Sequence, residues 1–339
     1  MNVFCTRNLS AVRNKIPDCH SRPVCPIESH SVAMLALLLP CLSYVEQQQR
    51  QQQASAALTP ADAPRSRFAW VSSLCGDATY VPAAAVLGHS LRKTNTTHDM
   101  VLLVVGEIAK DRATLDRLRA VGWKVRVVEQ TLQSPVDDRG ERGKETPRFR
   151  CFFTKLRAFG LIDYEQVVLL DSDTAVFQNA DELFERWPRP PNQVAAVPND
   201  RYPTVEVNTG VLVLRPSREL SEALEHHVRS GEPIEWDGAD QGLINQWFFG
   251  KIDYLPPFYN MMNSASSDPY TMDWMIAKHK SAIKIVHYVN NKPMWCGRDT
   301  ECTNTGKAHI RKLVNWWWAL YDEMPWKPPG KDIYGRAFP

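Results

Sequence analysis

From Phe68 onward, strand-like apolar runs alternate with amphipathic stretches of helical spacing. The apolar runs occupy residues 68–74, 100–105, 123–128 and 167–170, and the helix-like stretches occupy 81–93, 112–120 and 152–161. This alternation predicts a mostly parallel sheet with helices on both faces. The run VVLL at 167–170 is apolar at every position, as expected of a buried strand. The pattern therefore predicts an α/β fold with a Rossmann-like central sheet.

The first 67 residues differ in composition from the rest of the chain. Residues 1–67 carry seven Lys/Arg and four Asp/Glu, a net charge of +3, whereas residues 68–339 carry 33 and 34, a net charge of −1. A nearly neutral body argues against nucleic acid as a ligand, because binding to a phosphate backbone needs a concentrated basic face. We predict an N-terminal arm at 1–67, a folded domain at 68–325 and a C-terminal tail at 326–339.

The arm contains an uncharged apolar run, SVAMLALLLPCLSYV at 31–45, between a basic segment and a glutamine-rich tract at 47–53. Its 15 residues are short for a bilayer span, which needs about 20, and suit a signal sequence or a short signal-anchor. We predict a secretory-pathway protein, in the Golgi membrane as type II or secreted, with a lumenal body. The sequon at Asn95 would then accept a glycan. The alternative is a leader without a targeting role and a cytoplasmic protein.

Four of the eight cysteines lie in the body. Cys296 and Cys302 sit six residues apart in a polar loop that a disulfide could close. Cys75 and Cys151 stand in apolar surroundings, which predicts isolated, small buried residues. The sequence contains no CxxC or Cys/His cluster that would predict a zinc site.

Asp171 and Asp173 follow the run VVLL directly. Because parallel α/β sheets bind ligands at the carboxyl ends of their strands, these residues are candidates for a functional site. Two carboxylates one residue apart can present oxygens to one hard divalent cation, which can neutralise a diphosphate. A single D-x-D is a weak signal, and the alternative is that both aspartates cap a helix at 179–186.

The surrounding segment, VVLLDSDTAVFQNADELFE, resembles the D-x-D region of glycosyltransferase family 8, which includes glycogenin, galactinol synthase and plant glycogenin-like glucuronosyltransferases. Further blocks match this family in the same order: WVSSLCGDATYVPAAAVLGHSL (70–91), TKLRAF (154–159), VNTGVLVLRPS (207–217), DGADQGLINQWF (237–248) and HYVNNKPMWCG (287–297). The resemblance covers about residues 68–325. It implies a single GT-A type nucleotide-sugar-binding domain and a retaining, metal-dependent transfer of a hexose or hexuronic acid from a UDP-sugar.

The resemblance also implies a metal site. Mn²⁺ or Mg²⁺ would be held by Asp171, Asp173 and His287, since an imidazole complements two carboxylates for manganese. Lys292 would offset the charge that develops on the leaving diphosphate. The family pattern spaces this lysine one residue further along and has glycine at the position of Asn290, so the loop is shorter here.

The donor-binding residues implied by the resemblance are Asp77, Tyr80, Lys155, Asp171, Ser172, Asp173, Asn208, Asp237, His287 and Lys292. Asp77 and Tyr80 match contacts to the nucleotide base, and Asp240 and Gln241 match residues against the donor sugar. With Lys292, the last two are the predicted catalytic residues. Each has a structural alternative: Tyr80 as core, Lys155 as a solvated helix charge, and the pair at 240–241 as a helix cap.

The expected partners are a UDP-sugar donor and an acceptor that is a glycan, lipid, polyol or protein. The sequence does not identify the sugar or the acceptor. It is also compatible with a membrane anchor and with a homodimer. A first alternative is a haloacid-dehalogenase-like phosphatase with Asp171 as nucleophile, although about 100 residues of α/β pattern precede that residue and the closing acidic pair is missing. A second alternative is a catalytically silent sugar-binding or priming protein.

Overall fold

The computed structural model describes the body of the chain. The described residues are 68–76, 78–128, 151–187, 190–200, 206–234, 239–263, 269–289, 292–298 and 308–328. They belong to the compact unit Ser66–Pro339. The predictions for residues 31–45, Asp77, Asp237 and Cys302 lie outside the described residues.

The strands that form the central sheet are β1 (Phe68–Cys75), β2 (Asp99–Val105), β3 (Lys124–Val127), β4 (Gln166–Leu170), β6 (Val194–Pro198), β7 (Val207–Leu214) and β8 (Ile252–Tyr254), with β5 (Thr174–Val176) lying elsewhere. Their spatial order is β3-β2-β1-β4-β7-β6-β8. β1 pairs in parallel with β2 and β4, whereas β7 runs antiparallel to β4 and β6. The predicted α/β fold with a mostly parallel central sheet is confirmed.

The helices are α1 (Val81–Lys93), α2 (Arg112–Ala120), α3 (Glu182–Arg186), α4 (Arg218–Ser230), α5 (Asp240–Trp247), α6 (Pro269–Lys278), α7 (Pro293–Cys296) and α8 (Ala308–Glu323). Local signals set several of these limits. Ser217 caps α4 by accepting a hydrogen bond from the amide of Leu220 at 3.3 Å, and Gly231 ends it in the left-handed conformation. The predicted helix at 152–161 is a 3-10 helix, Phe152–Gly160.

Two hydrophobic layers cover the faces of the central sheet. Alternate strand residues such as Trp70 and Val168 pack with α1 and α8 on one face. Their neighbours Val71 and Leu169 pack with the 3-10 helix Phe152–Gly160, α4 and α5 on the other. Because successive side chains of a strand point to opposite faces, both faces of the apolar run in β4 are buried.

A second, three-stranded sheet contains β5, β9 (Met261–Met262) and β10 (Ile285–His287), in the order β5-β10-β9. β5 begins directly after Asp173, and β10 pairs antiparallel with it. β10, which ends at His287, therefore lies outside the central sheet. Among the described residues, no helix has both the length and the apolar character needed to cross a membrane.

A disulfide joins Cys75, at the end of β1, to Cys151, with Cα atoms 5.4 Å apart. The prediction that these two cysteines are isolated is therefore wrong. Their 76-residue separation in sequence hides the pairing, because the fold alone brings the end of β1 to the start of the 3-10 helix. Cys296 is also disulfide-bonded, whereas its predicted partner Cys302 lies outside the described residues.

Candidate functional site

The end of β4 brings Asp171, Ser172 and Asp173 to the carboxyl edge of the sheet. The next residue, Thr174, closes a turn by donating from its amide and its hydroxyl to the carbonyl of Asp171, at 3.0 and 2.8 Å. The amide of Asp171 donates to the carbonyl of Gly210 on the adjacent β7, at 2.9 Å. The helix-capping alternative is excluded, because α3 begins only after β5.

His287 joins the two carboxylates through the pairing of β10 with β5, which sets it opposite Thr174. Its Nε2 lies 3.3 Å from Asp173 Oδ1 and 3.8 Å from Asp171 Oδ2. One ligand atom from each of the three side chains lies within 4.8 Å of the others. No other group of His, Cys, Asp and Glu in the described part of the chain converges in this way. The predicted triad is therefore assembled by the fold.

The chemistry of the triad suits a divalent cation. Two carboxylate oxygens and an imidazole nitrogen are a donor set that manganese and related metals accept. Asp173 and His287 are buried, whereas Asp171 is partly exposed. Solvent can therefore reach the triad on the side of Asp171. The donor atoms of the three residues fit the predicted metal.

Lys292 lies at the same carboxylates. Its ammonium forms an ion pair with Asp173 and donates to the carbonyl of Tyr288 at 3.1 Å. Burial alone would raise the pKa of Asp173, but Lys292 and His287 outweigh it and hold that pKa well below its ordinary value. Asp173 is therefore a charged carboxylate at neutral pH, with Lys292 as its counter-ion.

Lys155 connects the metal triad to the start of α5. Only 9% of its side chain is exposed, so the alternative of a solvated helix charge is excluded. Its Nζ lies 2.9 Å from Asp171 Oδ1 and 3.1 Å from Thr209 Oγ1, and it forms an ion pair with Asp240. Burial would lower the pKa of Lys155, but the two carboxylates raise it above its ordinary value. One buried cation thus holds two predicted site carboxylates together.

Asp240 and Gln241 open α5 beside β7. The residue at the N-cap position is Ala239, not Asp240 or Gln241. Asp240 accepts a hydrogen bond from Thr209 Oγ1 at 3.2 Å. Gln241 Oε1 accepts from Asn208 Nδ2 at 3.2 Å and from the amide of Thr209 at 3.4 Å. Both side chains are therefore turned toward the strand that lies next to the metal triad.

Asn208 lies at the centre of these contacts. Its Oδ1 accepts from the amide of Gly210 at 2.9 Å and from Asn260 Nδ2 at 2.8 Å, and it lies 3.1 Å from His287 Nδ1. The unusual polar residue in an otherwise apolar strand is thus explained by a buried network. That network joins the metal triad to Gln241.

Tyr80 stands in a short 3-10 helix, Ala78–Tyr80, directly after β1. Its ring meets that of Trp295 edge-on, with centroids 5.5 Å apart. The ammonium of Lys292 lies 5.3 Å from the centroid of the same tryptophan. The aromatic pair therefore adjoins the lysine that is paired with Asp173.

Three residues of the site were missed in the sequence: Asn260, Thr209 and Trp295. Asn260 is 1% exposed and stands in the apolar segment FYNMM, where a buried amide signals a polar network. Thr209 stands next to the predicted Asn208 but has a side chain common in strands. Trp295 was visible only as part of a motif block and carried no predicted role.

The profile of "Glycosyl transferase family 8" matches residues 71–296. A "Putative UDP-glucuronate:xylan alpha-glucuronosyltransferase 5" of Arabidopsis thaliana is 30% identical over 274 residues, which cover 78% of this chain and 44% of that protein. "Glycogenin" of Neurospora crassa is 30% identical over 255 residues, which cover 75% of this chain and 34% of that protein. The chain thus spans less than half the length of these two relatives.

Solved structures show the same fold. An active-site mutant of LgtC superposes with a TM-score of 0.52 and 17% identity, covering 77% of this chain and 97% of that one. The glycosyltransferase GlyE of Streptococcus pneumoniae gives a TM-score of 0.52 and 18% identity, covering 77% and 62%. The expected GT-A type fold is confirmed.

Proposed function

Since this chain belongs to glycosyl transferase family 8, we propose that it is a retaining, metal-dependent glycosyltransferase that moves a hexose or hexuronic acid from a UDP-sugar to an acceptor. The observation that carries this proposal is the convergence of Asp171, Asp173 and His287, with Lys292 paired to one of the carboxylates. The names of the relatives above support a UDP-linked donor and include a hexuronic acid as the transferred sugar.

The metal triad serves the leaving group. A divalent cation held by Asp171, Asp173 and His287 would neutralise the diphosphate while its bond to the sugar breaks. Lys292 is placed to assist, because its ammonium can move from Asp173 to the phosphate oxygens and offset the developing charge. The ring of Trp295 lies beside this ammonium, with its centroid 5.3 Å away.

The start of α5 serves the sugar. Asp240 is tied to Lys155 and Thr209, so it is a hydrogen-bond acceptor held in place rather than a mobile nucleophile. Gln241 offers an amide dipole, with its oxygen held by Asn208 and Thr209. We propose that the oxygen of this amide supports an oxocarbenium-like transition state, which fits a reaction that retains configuration without a well-placed carboxylate nucleophile.

The compartment belongs to the proposal as well. We propose that the body is lumenal in the secretory pathway, as a type II Golgi enzyme or a secreted one. Support comes from the Cys75–Cys151 disulfide and from the disulfide-bonded state of Cys296, since disulfides persist in oxidising compartments and are rare in the cytosol. The exposed Asn95, after α1, is accessible to glycosylation.

The competing functions are separated by the same observations. Haloacid-dehalogenase-like phosphatase chemistry is ruled out by the match to a glycosyl transferase profile over residues 71–296. A silent sugar-binding protein would keep the fold and lose turnover, yet the metal triad, Lys155 and the start of α5 form one connected polar network. We propose an active enzyme.

The test is hydrolysis and transfer with the full chain, a panel of UDP-sugars and Mn²⁺. We expect release of UDP from one or a few donors, abolished by a chelator and by Asp173→Asn. Binding of UDP-sugars without any turnover, across the panel and a set of glycan, polyol and peptide acceptors, would support the silent protein and contradict the proposal.

A further inference from the structure

Segment 292–298 carries Lys292, which pairs with Asp173, and Trp295, which meets Tyr80. Its own helix, α7, is only four residues long. The amide of Trp295 donates back to the carbonyl of Lys292 at 2.9 Å, within the same turn. Isolated helices shorter than about 12–15 residues are marginal in water. The position of the segment therefore depends on its contacts with the rest of the fold.

Helix α8 holds the chain just before this segment. The hydroxyl of Tyr288 donates to the carbonyl of Leu313, within α8, at 2.9 Å, and both residues are buried. The carbonyl of Tyr288 accepts from the ammonium of Lys292 at 3.1 Å. One residue thus connects α8 with the ammonium that pairs with Asp173.

A second set of contacts with α8 holds the end of the segment. The indole N–H of Trp318 donates to the carbonyl of Gly297 at 3.3 Å, and Trp318 is buried. The guanidinium of Arg298 lies over the ring of the same tryptophan, 4.5 Å from its centroid. Both terminal nitrogens of Arg298 donate to the carboxylate of Asp322, Nη1 at 2.9 Å. The guanidinium is therefore held by a ring and by a carboxylate of α8.

The pair of Arg298 with Asp322 is better suited to set an orientation than to stabilise the whole fold. The two side chains are 33% and 48% exposed, and ion pairs exposed to this degree contribute little to the free energy of unfolding. A guanidinium that donates twice to one carboxylate and packs over an aromatic ring nevertheless keeps few orientations. Because Arg298 lies two residues after α7, these contacts determine where Lys292 and Trp295 lie relative to the metal triad.

We infer that Arg298, held between Trp318 and Asp322, is a positioning residue that sets Lys292 and Trp295 for the donor. This inference deepens the proposed function and rests on it. Arg298 acts through the segment and needs no contact of its own with the donor. Helix α8 would then support donor binding from outside the site.

The fold contains a matched arrangement at the opposite edge of the sheet. Arg126 on β3 donates to the two carboxylate oxygens of Asp163 at 3.2 and 2.5 Å, and its guanidinium lies 5.2 Å from the centroid of the Tyr164 ring. The side chains of Arg126 and Asp163 are 37% and 49% exposed, close to the values of the pair on α8. Asp163 lies before β4, whereas the two aspartates of the metal triad follow it. Arg126→Met is therefore the control for Arg298→Met.

The first measurement is amide hydrogen exchange of the full chain without metal or donor, read by mass spectrometry. We expect Arg298→Met to raise the exchange rate of segment 292–298 by about 3- to 30-fold, since a cation–π contact and an ion pair that hold it are lost. Arg126→Met should leave that rate unchanged. The two substitutions should lower Tm to a similar, small extent.

The second measurement is the Kd for UDP in the presence of Mn²⁺, by calorimetry. Arg298→Met should weaken binding by about 3- to 30-fold, and Arg126→Met should stay within twofold of the wild type. Asp322→Asn separates position from charge. Loss of a negative charge alone would strengthen the binding of an anion, whereas a loosened Arg298 should weaken it by about twofold to tenfold.

A rate of exchange or a UDP affinity of Arg298→Met within twofold of the wild type would overturn the inference. Tighter binding of UDP by Asp322→Asn would overturn it as well. A wild type that binds no UDP with Mn²⁺ would contradict the proposed function instead. Exchange is measured without donor, so it decides in either case whether Arg298 holds the segment.

Discussion

The ammonium of Lys292 is paired with the carboxylate of Asp173. Asp173 is the more buried of the two aspartates in the metal triad. A cation entering the triad must therefore displace this lysine or share the carboxylate with it. Under the proposed function, Lys292 would compete with the metal for Asp173 in the absence of donor and would bind the metal-bound diphosphate in its presence.

Lys292→Met should therefore have opposite effects on two binding steps. Without nucleotide, Mn²⁺ should bind as tightly as in the wild type or more tightly, because a competing cation is removed. With Mn²⁺ present, UDP should bind about 10- to 100-fold more weakly, the contribution of one or two charge-assisted hydrogen bonds. Calorimetry measures both, with Lys124→Met as the control on an exposed pair in β3. Weakened Mn²⁺ binding with unchanged UDP affinity would contradict this role.

Asp173→Asn and Gln241→Ala should separate in binding and in rate. The first removes a charged ligand, so metal and UDP should both bind more weakly. The second should leave both affinities near normal and lower single-turnover rates by about 10- to 1,000-fold, if the amide supports the transition state. A Gln241→Ala protein that melts early yet turns over at the normal rate would identify this residue as structural.

Lys155→Met should be costly for stability. It leaves the carboxylates of Asp171 and Asp240 facing each other without their buried cation, and breaking a buried pair in this way costs about 3–5 kcal/mol. The exposed pair of Lys124 with Asp99, in which the lysine side chain is 62% exposed, should contribute less than about 1 kcal/mol. Urea unfolding in the presence of a chelator compares Lys155→Met with Lys124→Met. Equal, small losses would show that Lys155 is not the counter-ion of the site.

Base recognition should depend on the aromatic pair. With Mn²⁺ present, UDP should bind more tightly than GDP or ADP, and Tyr80→Ala and Trp295→Ala should each reduce that preference, since a stacked base contributes about 1–3 kcal/mol. Phe258→Ala, at a partly buried aromatic residue that packs against the core, is the control. Equal affinities for the three nucleotides would exclude a base-specific contact here.

The compartment is tested in a eukaryotic cell. We expect a glycosidase-sensitive mass shift that Asn95→Gln abolishes, together with fractionation into the secretory pathway. Asn95 is exposed at the end of α1, so a lumenal body offers it to the modifying enzyme. Fractionation with the cytosol and an unmodified Asn95 would contradict the proposal.

The disulfide is tested by its contribution to stability. Cys75→Ala should lower the free energy of unfolding by about 2–5 kcal/mol, because it removes the disulfide to Cys151.

Local patterns were sufficient for much of the fold. The periodicity of the sequence predicted α1 and α2 with the bounds that the structure has, and β1 and β4 to within one residue. The spacing of apolar residues and the residues that begin or end a helix lie a few positions apart. A single segment is therefore enough to predict the element that it forms. The position of Asp171 and Asp173 after a buried strand belongs to the same class of inference.

The chemistry of the site depends on contacts that no segment contains. His287 reaches Asp173 because β10 pairs with β5 in a second sheet, and Lys155 meets Asp240 because the 3-10 helix and α5 pack on the same face of the central sheet. The Cys75–Cys151 disulfide and the place of Asn260 were missed for the same reason. The sequence by itself determined the first four strands of the central sheet, the family and the types of ligand atoms, because these follow from local pattern and residue chemistry. Which oxygen faces which nitrogen was decided by strand pairing and burial between distant segments, and only the tertiary structure contains those contacts.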